Sequence, residues 1–196
     1  INQISASNES LKICVAWFTD VEIYQSIIQA QNRGVQVYII VANHEFNKNS
    51  RVDFKELLQN KGYVGYIGNI NNGSKDRFMH NKFCIVDDFT VITGSYNWTF
   101  KARLNDENII IIKNQPNIIS QFNNKFESIK PQYGFAIKGN EVQLLPIEKI
   151  MAKWDKPKET KQQIEGNKAK SIFESHKFAK IEAVFEAFIK SFTFTP

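Results

Sequence analysis

Met79-His80-Asn81-Lys82-Phe83-Cys84-Ile85-Val86-Asp87, followed by Thr93-Gly94-Ser95-Tyr96-Asn97-Trp98, fixes a histidine, a lysine, an aspartate and a Gly-Ser-x-Asn group at set spacings. The apolar run reads as a strand from His80 to Val86 that turns at Asp87-Asp88 and returns through Thr90-Val91-Ile92-Thr93. Strand side chains alternate, so His80 and Lys82 share a face and Asp87 falls on the other. The return strand carries Gly94, Ser95 and Asn97 back towards His80. The pattern occurs once in the chain.

Outward from this hairpin, strands and helices alternate. Leu11 to Phe18 is an apolar run of strand length, Asp20 can cap a helix from Val21 to about Asn32, and Arg33-Gly34 is a helix stop. Val35 to Ala42 follows as a β-branched, fully buried strand, which completes a βαβ unit with parallel strands. A second helix is expected over Val52 to Asn60, a short strand over Tyr63 to Ile67, and a turn-rich loop over Gly68 to Asp76. Beyond the hairpin, Glu107 to Ile112 reads as another buried strand. Gln115-Pro116-Asn117 opens a helix to about Ile129, with proline in the first turn, where it is tolerated.

Composition changes after Pro131. The expectation is a catalytic domain over 1–131 and a basic, mostly helical extension over 132–196. Lys153 to Lys170 is lysine-rich and poor in apolar residues. Phe178, Ile181, Phe185, Phe188, Ile189 and Phe192 then recur at helical spacing. That stripe reads first as a helix docked on its own domain and second as a helix meant for a partner chain, and the basic, Phe-rich extension as a whole is where a regulatory partner is expected. A membrane-surface helix comes last, because Glu174, Glu182 and Glu186 would oppose anionic lipid.

Of the 196 residues, 42% are hydrophobic and 23% charged, as in ordinary globular domains. No run of eighteen apolar residues exists, so stable membrane insertion is not expected. Cys14 and Cys84 sit in strand-like runs and read as small buried hydrophobes of a reducing compartment, and the start carries no secretory pattern; a cytoplasmic protein is expected. The chain opens on Ile1 rather than Met, so its true beginning is expected to lie elsewhere. Twenty-five Lys and Arg against 20 acids give a net charge of +5, a modest lean towards polyanionic partners.

The motif suits a phosphodiester. A neutral imidazole at His80 can attack phosphorus, while the Lys82 ammonium holds a non-bridging oxygen and offsets growing charge. Ser95 and Asn97 can donate to the other phosphoryl oxygens. Glu107 is placed to accept from the second ring nitrogen of His80 and fix its tautomer, with Asp106 and Asn108 as neighbouring alternatives. Asp87 faces away from this chemistry and is assigned to the turn or to a nearby base. No metal site is expected, since the chain has neither H-x-x-x-H nor C-x-x-C; no cofactor loop is recognised either.

These residues resemble the defining motif of the phospholipase D superfamily, H-x-K-x4-D followed by G-S-x-N, over roughly Leu11 to Lys130. The resemblance implies an α/β fold with a mixed, largely parallel β-sheet flanked by helices. It also implies a phosphohistidine intermediate and no metal requirement. By position, His80 resembles the nucleophile, Lys82, Ser95 and Asn97 the phosphate ligands, and Glu107 the orienting acid. Family members with one motif per chain pair two chains to complete the site.

Reaction geometry asks for the same pairing. In-line displacement needs the attacking group and the proton donor on opposite sides of phosphorus, which one His80 cannot provide. A two-fold axis through the site brings a second copy's His80 to the far side, giving a homodimer built through the active site. His44 and His176 read as ordinary polar side chains. The favoured substrate is nucleic acid, DNA or RNA, with Arg77, Lys101 and Arg103 near Trp98 and Phe100 as backbone contacts. A phospholipase or cardiolipin-type lipid hydrolase is the alternative. A non-catalytic nucleic-acid-binding or assembly module is the third reading, and the full set of motif residues opposes it.

Overall fold

The computed structural model describes residues 1–59, 62–68, 78–138 and 141–151, all within one compact unit, Ile1–Lys153. After a short helix α1 (Asn2–Ser5) come β1 (Ser10–Val15), α2 (Val21–Asn32) and β2 (Gln36–Ala42). Two single-turn helices, α3 (Glu45–Lys48) and α4 (Glu56–Gln59), lead to β3 (Tyr63–Ile67). The motif hairpin is β4 (Lys82–Val86) and β5 (Thr90–Gly94), followed by a 3-10 turn at Phe100–Leu104, β6 (Ile109–Lys113) and α5 (Pro116–Ser128). A second hairpin, β7 (Tyr133–Lys138) and β8 (Glu141–Pro146), precedes α6 (Ile147–Met151).

The eight strands of the described residues form one sheet in the order β6-β5-β4-β1-β2-β3-β7-β8. Helices cover both faces. Ile23, Tyr24 and Ile27 of α2 pack on Leu11, Ile13, Val15, Val37, Ile39 and Val41, a face that Cys84 and Val86 join. Ile119 and Phe126 of α5 cover the opposite face, against Cys14, Ile40, Phe83, Ile85 and Val91. That alternation along β4 follows from the period of two. Asp20 caps α2 as expected, accepting from the N–H groups of Glu22 and Ile23 at 3.0 and 3.3 Å. Both cysteines are buried thiols, and burial pushes Cys14 up to about 12.

Four expectations need correcting. The sheet is mixed and flanked by helices as expected, but not largely parallel: among the described residues β1–β2 and β2–β3 pair in parallel. The hairpins β4–β5 and β7–β8 are antiparallel because their connections are short, and β1–β4, β3–β7 and β5–β6 pair antiparallel across longer connections. The helix expected over Val52 to Asn60 shrinks to one turn, since Val52 and Phe54 are drawn into the core ahead of it. The Glu107 to Ile112 strand is not buried. As β6 it forms the sheet's edge, with Ile109, Ile110 and Ile111 exposed by 55, 51 and 49%. Finally, the segment after 131 begins as sheet rather than helix. β7 pairs with β3, and Phe135 and Leu144 pack on the core. The Lys153–Lys170 stretch and the Phe-rich stripe lie outside the described residues. Among the described residues no helix is long and apolar enough to cross a membrane.

Candidate active site

Register gathers the motif at one end of the sheet. β1 and β2 run parallel and finish there, releasing the segments that carry Trp17 and His44-Glu45-Phe46. β4 starts there because it is antiparallel to β1, with Lys82 opposite Val15. β5 ends there, with Thr93 opposite Phe83, and β6 starts there, with Ile109 opposite Gly94. Carboxyl ends of parallel strands are where open α/β sheets place their ligands.

His80 is exposed, with its ring edge-on to Trp17 (centroids 6.0 Å apart) and tilted over Phe78 (5.5 Å). Its ring makes no hydrogen bond to the described residues. Partial desolvation, then the neighbouring Lys82 charge, hold the imidazole below the ordinary histidine range and favour its neutral form. Lys82 donates from Nζ to the His80 carbonyl at 2.8 Å, which holds the ammonium beside the imidazole. Desolvation also lowers the Lys82 ammonium from its ordinary value, and the Glu107 charge partly restores it.

Ser95 and Glu107 meet directly. The Ser95 hydroxyl donates to a Glu107 carboxylate oxygen and accepts the Asn108 N–H at 3.0 Å. Asn105 donates to the other carboxylate oxygen at 3.2 Å. Those two donors, and then the Lys82 charge, hold the Glu107 carboxyl below its usual range. Glu107 was expected to take the His80 ring N–H; in this structure it holds Ser95, because its backbone lies across β5 rather than β4. Gly94 makes the approach feasible. At φ +152° a Cβ there would overlap the Asn108 carbonyl oxygen, which accepts the Ser95 N–H at 3.1 Å. The Asn97 side chain keeps its Oδ1 buried without a partner among the described residues and lines a cavity beside the histidine.

Asp87 ties the turn to the start of β1. Its carboxylate accepts the N–H groups of Asn8, Glu9 and Ser10 at 2.8–2.9 Å. It is Asp88 that pairs with a base, Lys12, at 2.9 Å. Arg103 was expected to contact nucleic acid; instead its guanidinium is taken by Asp20 at 2.7 Å and Glu22 at 2.9 Å and lies over Phe100. Trp98 is core, packed on Phe18 with centroids 5.1 Å apart, so it presents no face to a base. Phe100 is exposed, and Lys101 lines the cavity. Arg77 and His176 lie outside the described residues. His44 caps α3, its Nδ1 accepting from the Phe46 N–H at 3.2 Å. Among the described residues no group of three or more His, Cys, Asp or Glu could share a metal ion.

Two contributors carry no signal in the sequence. Trp17, which reads as the end of a strand, is the wall between His80 and a cavity of about 570 Å³. Asn47 is buried and donates to the Ala16 and Ala42 carbonyls at 2.8 and 2.7 Å while accepting the Phe18 N–H at 2.8 Å. It thereby fastens the ends of β1 and β2 to each other and fixes the segment bearing Trp17.

Residues 1–130 match the family model described as "Cardiolipin synthase, PLD-like domain". Among curated relatives, the mitochondrial cardiolipin hydrolase of Xenopus tropicalis is 29% identical over 65% of this chain and 57% of its own length. A phospholipase D of Rickettsia typhi is 33% identical over 64% of this chain and 59% of its own. The chain thus spans little more than half the length of these relatives. Among solved structures, the phospholipase D family member Nuc from Salmonella typhimurium superposes with a TM-score of 0.55 at 23% identity, covering 74% of this chain and 87% of Nuc. NucT from Helicobacter pylori gives 0.51 at 25% identity, covering 64% and 81%. With the motif in place at the end of this sheet and two thirds of its length matched by the family model, the chain belongs to the phospholipase D superfamily.

Proposed function

We propose that this chain is a metal-independent phosphodiesterase that hydrolyses nucleic acid through a phosphohistidine, in a site shared by two copies. The observation that carries the reading is His80 and Lys82 side by side, with the imidazole biased towards its neutral form. A His80 ring nitrogen attacks phosphorus and the bond to the leaving oxygen breaks. The second copy's His80, as imidazolium, gives that oxygen its proton. Water then attacks phosphorus, losing a proton to the same second histidine as the phosphorus–nitrogen bond breaks and His80 leaves as a neutral imidazole, so both imidazoles return to their starting states. Lys82 and Asn97 offset charge on the non-bridging oxygens.

The shared site is supported by the single His80 and by the β6 edge. Ile109 lines a small crevice with Lys82, and exposed Ile110 and Ile111 continue that apolar surface away from the site. Nucleic acid is supported by exposed Arg51 and Lys101 in the adjoining cavity, which no carboxylate lines. The lipid reading is favoured by the relatives' names, cardiolipin hydrolase and phospholipase D. The deciding experiment incubates plasmid, single-stranded DNA, RNA and cardiolipin vesicles with the protein in EDTA, beside His80→Ala. Nucleic-acid cleavage that persists in EDTA, with acid-labile label trapped on the parent and not on His80→Ala, is the expected result. Turnover of cardiolipin alone moves the assignment to lipid.

A further inference from the structure

We infer that the cavity between Trp17, Phe46 and Lys101 holds the unpaired base of the nucleotide next to the scissile phosphate, which makes single-stranded nucleic acid the substrate class; this rests on the nucleic-acid reading above.

Position comes first. Trp17 stands 6.0 Å, ring to ring, from His80 and is itself a wall of the cavity, as is Asn97 of the motif. A nucleotide whose phosphate meets His80 has its neighbouring sugar and base at this opening. The volume, about 570 Å³, falls within the ~300–1,000 Å³ of small-ligand sites.

Its walls match a base better than the other candidates. Trp17 and Phe46 meet nearly at right angles (79°, centroids 6.1 Å apart), so a planar ring lying on one abuts the other. Phe46 is 62% exposed, an aromatic face left open on the surface. Asn49 and Asn105, whose amide nitrogens donate one hydrogen to Glu45 and Glu107, keep a carbonyl oxygen and a second N–H for a base edge. Arg51 and Lys101 have no ion pair with the described residues, in contrast to Arg103 one turn away, and so remain available to flanking phosphates. A lipid tail would require a continuous apolar lining, and these amides and cations interrupt it. A base stacked within a duplex cannot enter a side cavity without leaving its partner, so an unpaired strand binds at lower cost.

The test is a cycle that removes the ring from the protein and the base from the substrate. Cleavage rates are measured for the full-length chain and for Phe46→Ala on an unstructured oligonucleotide, on a strand of the same length built from abasic units, on the duplex, and on bis(4-nitrophenyl) phosphate. The parent is expected to prefer the base-bearing strand over both the abasic strand and the duplex. Phe46→Ala should lower the rate on the base-bearing strand by roughly 5- to 100-fold, the range for loss of one stacking side chain, and shrink the preference over the abasic strand by the same factor. Equal losses on the base-bearing strand, the abasic strand and the small diester, or no loss on any, would overturn the base site and leave the nuclease reading standing. A parent that hydrolyses bis(4-nitrophenyl) phosphate or cardiolipin but no nucleic acid would overturn both.

Discussion

The Ser95 hydroxyl is clamped by the strand that follows it, donating to the Glu107 carboxylate and accepting the Asn108 N–H. Glu107 therefore acts on the site through Ser95 and through the charge it presents to Lys82, and makes no hydrogen bond to His80. Replacing Ser95 by Ala and Glu107 by Gln, singly and together, separates the two roles. If Glu107 works by holding Ser95, the double variant is about as slow as Ser95→Ala alone, with each single loss on the order of tenfold or more. Losses that multiply would show that Glu107 also acts independently of Ser95, through the charge it presents to Lys82.

His80 sits below its ordinary value of 6.5, first through burial and then through Lys82. A nucleophile must be deprotonated and the second copy's His80 must be an imidazolium, so the rate of the first step should pass through a maximum near their shared midpoint, below 6.5, and decline on either side. Lys82, lowered from 10.5, should lose its proton at a lower pH than an exposed lysine, so the alkaline decline should steepen before pH 10.5 is reached. Substituting Lys82→Met removes a positive neighbour and should move the His80 midpoint upwards, read by NMR titration with His80→Ala to assign the resonance. A midpoint that stays or falls would exclude Lys82 as a cause.

The motif hairpin and the βαβ unit are legible in the sequence because their determinants are local. Alternation, a turn at Asp87-Asp88 and a cap at Asp20 each lie within a few residues of the structure they produce. What the sequence hides depends on distant neighbours. Asn47 bonds Ala16 across 31 positions, and Arg103 finds Asp20 across 83. A run of isoleucines looks the same whether the next strand belongs to its own sheet or is missing, so β6 reads as interior. The change in composition after Pro131 reads as a helical extension over 132–196 and masks two strands, β7 and β8, that complete the β3 side of the sheet. Glu107 shows the same limit at the site: its position near the motif is evident, but its partner depends on which strand lies beside it.

Asp87 belongs to the motif by spacing and to the scaffold by contact. Removing its carboxylate leaves the N–H groups of Asn8, Glu9 and Ser10 to water. Asp87→Ala should cost about 1–3 kcal/mol in denaturant unfolding. The folded variant should retain a rate within a few-fold of the parent's on a small diester. A rate loss as deep as that of His80→Ala, in protein of undiminished stability, would place Asp87 in the chemistry instead.

Asn47 offers a sharper stability test, being 1% exposed and fully engaged with three backbone groups. Asn47→Ala leaves the Ala16 and Ala42 carbonyls and the Phe18 N–H short of partners in the interior. A loss of about 2–3 kcal/mol is expected, and more if water cannot enter. Asn47→Asp keeps the acceptor for Phe18 but turns a donor towards two carbonyls into a charge, so it should do no better. Either variant unfolding at the parent's midpoint would mean that the ends of β1 and β2 are held by something other than this side chain.

A site built by two copies makes a quantitative demand on mixed assemblies. If both His80 side chains act on one phosphorus, a pair containing one His80→Ala chain is inactive. Co-expressing equal amounts of parent and His80→Ala should then leave about a quarter of the parent's activity, because only parent–parent pairs work. Independent sites would leave half. Ile110→Asp provides the structural counterpart, since it sets a charge on the half-exposed face of β6 without touching a motif residue. It should sediment as a monomer and lose turnover, while the folded chain keeps a denaturant midpoint close to the parent's. A fully active Ile110→Asp monomer, or a mixture that retains half its activity, would show that a single chain completes the reaction and that β6 serves some other purpose.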